Sequence, residues 1–314
     1  MRALLIVLTL LATAAGAQDK YPTRPITIVN PYAAGSSMDI MARAVADQFT
    51  RTWGQGVVVT SRDGASGVVG MTAMMLAAPD GYTLAFSPMV PVVVQPHLNR
   101  DSRVNPDTVQ PVCGVTENIL GIAVRTESPL KNMADLLAAT RVKPLAFGSP
   151  GPNSGPFLAI DEIARKQKTE FVHVPYKGDA PSLTDTLSGR LDFSAIVAAS
   201  AASFVKADRM RMLAVMSTKR HPGYPDTPTL IEAGLDTTQL SYAGLFAPKG
   251  LPEPVLRALD EACAVAVSSD AFKQAASNTN QVIEYQPRAA WERKVHEEFK
   301  RQGAALKAAG ALKE

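Results

Sequence analysis

The stretch that decides the fold is PITIVN at 25–30, PYAAGSSMDIMARAVADQF at 31–49, GVVVT at 56–60, SGVVGMTAMMLAA at 66–78 and YTLAF at 82–86. Residues 25–30, 56–60 and 82–86 are short apolar or β-branched runs of strand type. Between the first two, Met38 to Arg51 carries apolar residues at helical spacing (Ile40, Met41, Ala44, Val45, Phe49), with Ser37 or Asp39 as candidate cap. Ser66 to Ala78 reads as a second helix, closed by the turn Pro79-Asp80-Gly81. Strand, helix, strand, helix, strand in this order predicts parallel pairing with right-handed crossovers.

The pattern restarts further on. Ile119–Val124 reads as a strand, Met133–Thr140 as a helix and Leu145–Gly148 as a strand. A Gly-Pro-Ser loop, 149–156, leads into a helix at Phe157–Lys166. Strands follow at Phe171–Val174, Leu191–Ile196 and Met212–Met216, with a helix at Ala180–Ser188 between the first two. Two helices, Pro252–Val267 and Arg288–Ala309, fill the C-terminal third. Two α/β halves without a long flexible linker predict two facing lobes. The crossovers near Ile119–Val124 and Ser241–Leu245 are the expected hinge, with Tyr242 either a core aromatic or a ligand contact.

Met1-Arg2, the apolar run Ala3–Leu11 and Ala15-Gly16-Ala17 have the plan of a secretory leader cleaved after Ala17. The run is too short to span a bilayer, which takes about 20 apolar residues. A soluble, periplasmic mature protein is therefore expected. Lys+Arg 32 against Asp+Glu 29, scattered along the chain, argues against nucleic acid as a partner. Cys113 and Cys263 are the two cysteines; an oxidising compartment permits a bridge, and their spacing leaves bridge and separate thiols both open.

No metal, cofactor or catalytic set is expected. The four histidines, His97, His173, His221 and His296, lack metal-ligand spacing. Gly151-Pro152-Asn153-Ser154-Gly155 has G-x-x-S-G spacing, not the nucleophile elbow G-x-S-x-G, and no motif joins Ser154 to His173. Walker A and G-x-G-x-x-G patterns are missing too. What remains is a pair of strand-to-helix loops, Ala33–Asp39 and Ser149–Ser154. In open α/β sheets ligands bind at such places, where free N–H groups and the helix dipole favour an anion. Ordinary capping uses the same residue types.

Several motifs carry a resemblance. They are Tyr21-Pro22-Thr23-Arg24-Pro25-Ile26, Pro31-Tyr32-Ala33-Ala34-Gly35, Ala78-Pro79-Asp80-Gly81-Tyr82-Thr83-Leu84, His173-Val174-Pro175-Tyr176-Lys177-Gly178 and Pro225-Asp226-Thr227-Pro228-Thr229. In order and spacing the chain resembles the Bug family, the periplasmic solute-binding proteins of tripartite tricarboxylate transporters (TctC-like). The resemblance implies an α/β, type II periplasmic-binding-protein fold: two lobes, each with a mixed, mostly parallel sheet, and a ligand cleft between them. Residues 18–122 plus 243–314 would form lobe 1 and 123–242 lobe 2. It implies capture of a small organic solute, a carboxylate or an aromatic acid or amide, for delivery to membrane permease subunits by a monomer. A periplasmic sensor subunit is the alternative, and a hydrolase a weaker one.

Carried over by residue, the site would comprise Ala34, Gly35, Ser36, Ser37 and Asp39 from the first loop. Ser87 and Met89 would line the near wall, and Ser149, Asn153 and Ser154 would come from the second loop. Two departures stand out: Phe157 where family members usually have His, and Ile196 where they often have Asp. On that reading the pocket is less polar than the family norm and suits an aromatic or short-chain monocarboxylic ligand.

Overall fold

Strand β1 (Ile26–Asn30) is buried along nearly its whole length, as a central strand covered on both faces must be. The computed structural model of the chain describes residues 21–99, 101–176 and 178–312. The expected leader and its cleavage after Ala17 lie outside them. After β1 come α1 (Ser37–Trp53), β2 (Val57–Ser61), a 3-10 turn (Ala65–Gly67), α2 (Val68–Met75) and β3 (Thr83–Pro88). Two single turns, α3 (Val90–Val93) and α4 (Gln95–Leu98), lead to β4 (Val109–Glu117). The second half runs β5 (Leu120–Arg125), α5 (Met133–Thr140), β6 (Leu145–Ser149), α6 (Gly155–Gln167), β7 (Phe171–Pro175), α7 (Asp179–Leu187), β8 (Phe193–Val197), α8 (Ala202–Lys206) and β9 (Met210–Val215). The chain then returns through β10 (Tyr242–Pro248), α9 (Glu253–Ser268), α10 (Asp270–Asn278), β11 (Val282–Gln286) and α11 (Arg288–Ala308).

Two sheets result, in the orders β11-β4-β10-β3-β1-β2 and β7-β6-β8-β5-β9. Strand β1 pairs parallel with β2 and β3, as β6 does with β7 and β8. The sheets are mixed, as expected, but antiparallel pairing takes a larger share than the expected "mostly parallel". The physical reason is the return of the chain: β10 inserts antiparallel between β3 and β4, and β5 lies antiparallel between β8 and β9.

Each sheet has its own core. In the first lobe Met41 and Phe49 of α1 pack with Phe86, Leu245, Leu259 and Phe272. In the second, Ile122, Leu136, Phe147, Ile160 and Phe193 pack together. A third cluster joins the lobes, placing Leu158 of α6 with Val92, Phe246 and Trp291. Cys113 of β4 and Cys263 of α9 form a disulfide of 2.03 Å, which settles the choice between bridge and thiols. It fastens α9 to the first sheet.

The lobes meet at two crossings. Strand β5 pairs in the second sheet from Leu120 onward, so the outward crossing is at Asn118 and Ile119 and the boundary expected at residue 122 falls inside a strand. The return crossing precedes Tyr242, which already pairs with Glu117. The Asn118 N–H donates to the Ser241 carbonyl at 2.6 Å and ties the crossings together. No described helix is long and apolar enough to cross a membrane.

Candidate functional site: the cleft between the lobes

The first cleft loop is held from below. Asn30, fully buried at the end of β1, donates its amide to the carbonyls of Tyr32 and Ala33 and to Ser61 Oγ. Gly35 has φ +79°, a region that favours glycine, and with no side chain it lets the chain turn into α1. Ser36 is the cap, with its Oγ accepting the Asp39 N–H at 3.3 Å. The expected cap was Ser37 or Asp39; the helix starts one residue earlier, which moves the cap back. Asp39 is 4% exposed, and both its oxygens are engaged by the Gly35 N–H and Arg43, with Ser61 alongside. Burial works to raise its carboxyl, but the Arg43 and Gly35 hydrogen bonds and the Arg43 charge together hold it below the usual range. Asp39 therefore shapes the loop and has no free acceptor for a ligand. The Ser37 and Met38 N–H groups at the first turn have no partner among the described residues.

A cavity of about 580 Å³ opens in front of this turn. Lobe 1 contributes Tyr32, Ser36, Ser37, Met38, Pro88 and Val90; lobe 2 contributes Asp179, Val197, Ala199 and Ser200. Asn118 and Ser241 stand at the crossings, and Asn278 to Gln281 form one rim. Asp179 Oδ2 accepts from the Val197 N–H at 3.3 Å and Ser200 Oγ at 2.6 Å, while Oδ1 has no partner among the described residues. Burial raises its carboxyl, and the bonds from Ser200 and Val197 offset this only in part. Gln281 Oε1, on the lobe 1 side, is also buried without a partner among the described residues. The cleft thus offers N–H donors at the first turn of α1, with the Asp179 and Gln281 side chains on opposite walls.

The structure divides the residues expected from the sequence. Ser36 and Ser37 line the cavity; exposed Ala34 and Gly35 sit beside it in the same loop. Ser87 is fully buried, and its hydroxyl bonds to the Pro88 carbonyl, so Pro88 and Val90 form that wall instead. Met89 lines a smaller cavity behind the cleft. The second loop does not reach the main cavity. Ser149 is fully buried, bonded to His173 Nε2 at 2.7 Å and to the Gly151 carbonyl at 3.1 Å. Asn153 adopts φ 61°, and Ser154 caps α6 by accepting the Phe157 N–H. Phe157 packs on the His173 ring, centroids 4.6 Å apart. Ile196 is fully buried in the lobe 2 core with Leu183 and Met210. Side chains alternate along β8, so its neighbour Val197 faces the cleft.

These placements remove the ground for a less polar pocket, since neither Phe157 nor Ile196 lines the main cavity. Asp179 and the 278–281 segment, which the sequence reading missed, supply polar groups there. Asp179 stands one residue beyond the Pro175–Gly178 motif, and the rim begins at the last residue of α10, a helix whose Ser269 cap and amphipathic spacing were the signal that could have found it. The Ser149–His173 pair has nucleophile–base spacing, but Ser149 exposes no surface to a substrate. Tyr242 is a core aromatic, 5% exposed, with the Lys294 ammonium 4.5 Å from its ring centre.

Two lobes around a polar cleft, joined by two crossings, define a solute-binding receptor. The chain belongs to the tripartite tricarboxylate transporter receptor family (TctC), whose model matches residues 41–311. A Cupriavidus necator relative, the UPF0065 protein in the gbd 5' region, is 33% identical over 300 residues, covering 94% of this chain and 90% of the relative. The structure of a TctC solute-binding protein from Polaromonas superposes with a TM-score of 0.84 at 26% identity, over 91% of this chain and 99% of that one. The periplasmic binding protein BugD gives 0.75 at 26%, over 94% and 100%. An R. palustris protein with adipate gives 0.78 at 26%, over 92% and 98%. The family is one of solute-binding receptors and not of enzymes.

Proposed function

We propose that this protein captures a small organic acid in the interlobe cleft and hands it to the membrane subunits of a tripartite transporter, without turning it over. The observation that carries the reading is the cavity of about 580 Å³ with the open first turn of α1 on one wall and Asp179 on the other. The Ser37 and Met38 N–H groups and the helix dipole suit a carboxylate. The polar side chains of Asp179 and Gln281, on opposite walls, suit donors on the same solute or on water around it. A ligand touching both walls favours the closed arrangement of the lobes. The adipate held by the R. palustris relative is an acid of compatible size. Export, with cleavage after Ala17, would place the protein in the periplasm.

Calorimetry and thermal shift against a panel of mono- and dicarboxylates, amides and amino acids test the reading. At least one acid should raise the melting temperature in a concentration-dependent way and be recovered unchanged. If no acid in the panel binds, or if the bound acid is converted, the reading is wrong.

A further inference from the structure

Behind the main cleft lies a second cavity of about 170 Å³. Both lobes wall it: Met89, Val93 and Val94 from lobe 1, and Leu120 and Pro156 from lobe 2, with Leu240 at the return crossing. It shares Val90, Val197 and Ser241 with the main cavity, so the two adjoin. Its size is close to that of the roughly 150 Å³ apolar cavities known to take a benzene ring. Glu298 also lines it, but Arg301 holds both carboxylate oxygens at 2.6–3.1 Å and compensates the charge. Gln302 lines it too; it is 2% exposed, and its Oε1 has no hydrogen-bond partner among the described residues. Buried polar atoms are nearly always paired, so an unpaired one in a cavity wall calls for a donor from elsewhere.

We propose that this cavity is a subsite for the apolar body of the captured acid, with the carboxylate held at the α1 end of the main cleft. The fitting ligand is amphipathic: a carboxylate bearing one aromatic ring or a chain of about six carbons. Gln302 adds a preference for a ring that carries a hydroxyl or amino donor. The inference rests on the solute-capture reading and extends it to a ligand class. Apolar contact, not further charge, would then separate this protein's ligand from short diacids.

The test is calorimetry of the full protein with propanoate, hexanoate, benzoate, 4-hydroxybenzoate and succinate. A fully buried methylene contributes about fourfold, so the three extra methylenes of hexanoate give up to about sixtyfold over propanoate, and at least tenfold is expected even with incomplete burial. Two variants fill the cavity to different degrees. Val93→Phe adds a ring. Gly155→Ala adds one methyl, at a position where a Cβ would meet Leu120 Cδ1 at 3.0 Å and Gln239 Cγ at 3.3 Å. Both should weaken hexanoate and benzoate at least fivefold and leave propanoate within twofold. The Gly155→Ala variant keeps the test open if Val93→Phe does not fold. Gln302→Leu should erase any advantage of 4-hydroxybenzoate over benzoate. Equal affinities for propanoate and hexanoate would overturn the subsite, as would unchanged hexanoate binding in the filled variants. Binding of succinate alone sinks the subsite and leaves solute capture standing. If all five acids fail while another acid of the wider panel binds, the subsite falls alone.

Discussion

Ser36 and Ser154 do the same local job and have different places in the molecule. Each follows a strand and a glycine-bearing loop, and each adopts extended backbone (φ −66°, ψ 163° and φ −69°, ψ 156°). Each accepts the N–H three residues on. Yet Ser36 lines the main cavity, and Ser154 does not. The lobes carrying them differ in the same way. Lobe 1 is fastened by the Cys113–Cys263 bridge, while lobe 2 relies on packing around Phe147, Phe171 and Phe193. Capping is decided by a few neighbouring residues; membership of a binding site is decided by what the second lobe brings opposite.

The largest effect should come from the bridge. It closes a separation of 150 residues, so reduction or Cys263→Ala should cost about 2–5 kcal/mol. Hydrogen exchange should show the loss in β4, α9 and their neighbours and spare β6 and β8. Equal loss in both lobes would break the comparison. Next is Asp39→Ala, which removes the buried carboxylate that holds the Gly35 N–H and the exposed Arg43 guanidinium. It should cost about 2–3 kcal/mol in chemical denaturation and weaken acid binding at least tenfold. Undiminished affinity would show that the first loop does not hold the ligand.

The hinge has its own signature. Burial, with Glu284 nearby, pushes the Glu117 carboxyl up to about 7, against the pull of Lys294 and Lys219. The folded state therefore keeps a proton that the unfolded chain releases near pH 4.5, and stability should fall as pH rises through the window from 4.5 to 7. Glu117→Gln should remove that slope and stabilise the protein above pH 7 by about 1–2 kcal/mol, after allowing for solvent screening. A slope unaltered by the substitution would contradict the assignment. The smallest effect is the sharpest comparison. Ser36→Ala and Ser154→Ala should each cost about 1 kcal/mol of stability. Acid affinity should drop severalfold for Ser36→Ala alone; equal drops would place both loops at the ligand.

Much of the scaffold was legible because it is local. Hydrophobic period and turn residues located α5 to the residue and most parallel strands to within two or three. Strand β4 was not legible, because Pro111 and Gly114 interrupt its pattern; Pro111 sits where the register with β10 shifts, so the sheet tolerates it. Helix α10 and strand β11 were missed too, β11 being a half-exposed edge strand. Of the candidate site, the first loop was legible through its small residues and cap. Ile196 was misplaced, since a match in linear sequence does not tell which face of β8 a side chain takes.

By itself the sequence determined the α/β character, the two halves, the family and the capped loop before α1. All of these follow from short-range periodicity, turn chemistry and motif spacing. Only the tertiary structure decided the rest: that Cys113 meets Cys263, that Asp179 and the 278–281 rim face Ser37, and that Ser149 is closed off against His173. The physical reason is that these contacts join residues far apart in the chain. Their proximity is set by how β10 returns across the hinge and packs the two sheets against one cleft, which no local pattern encodes.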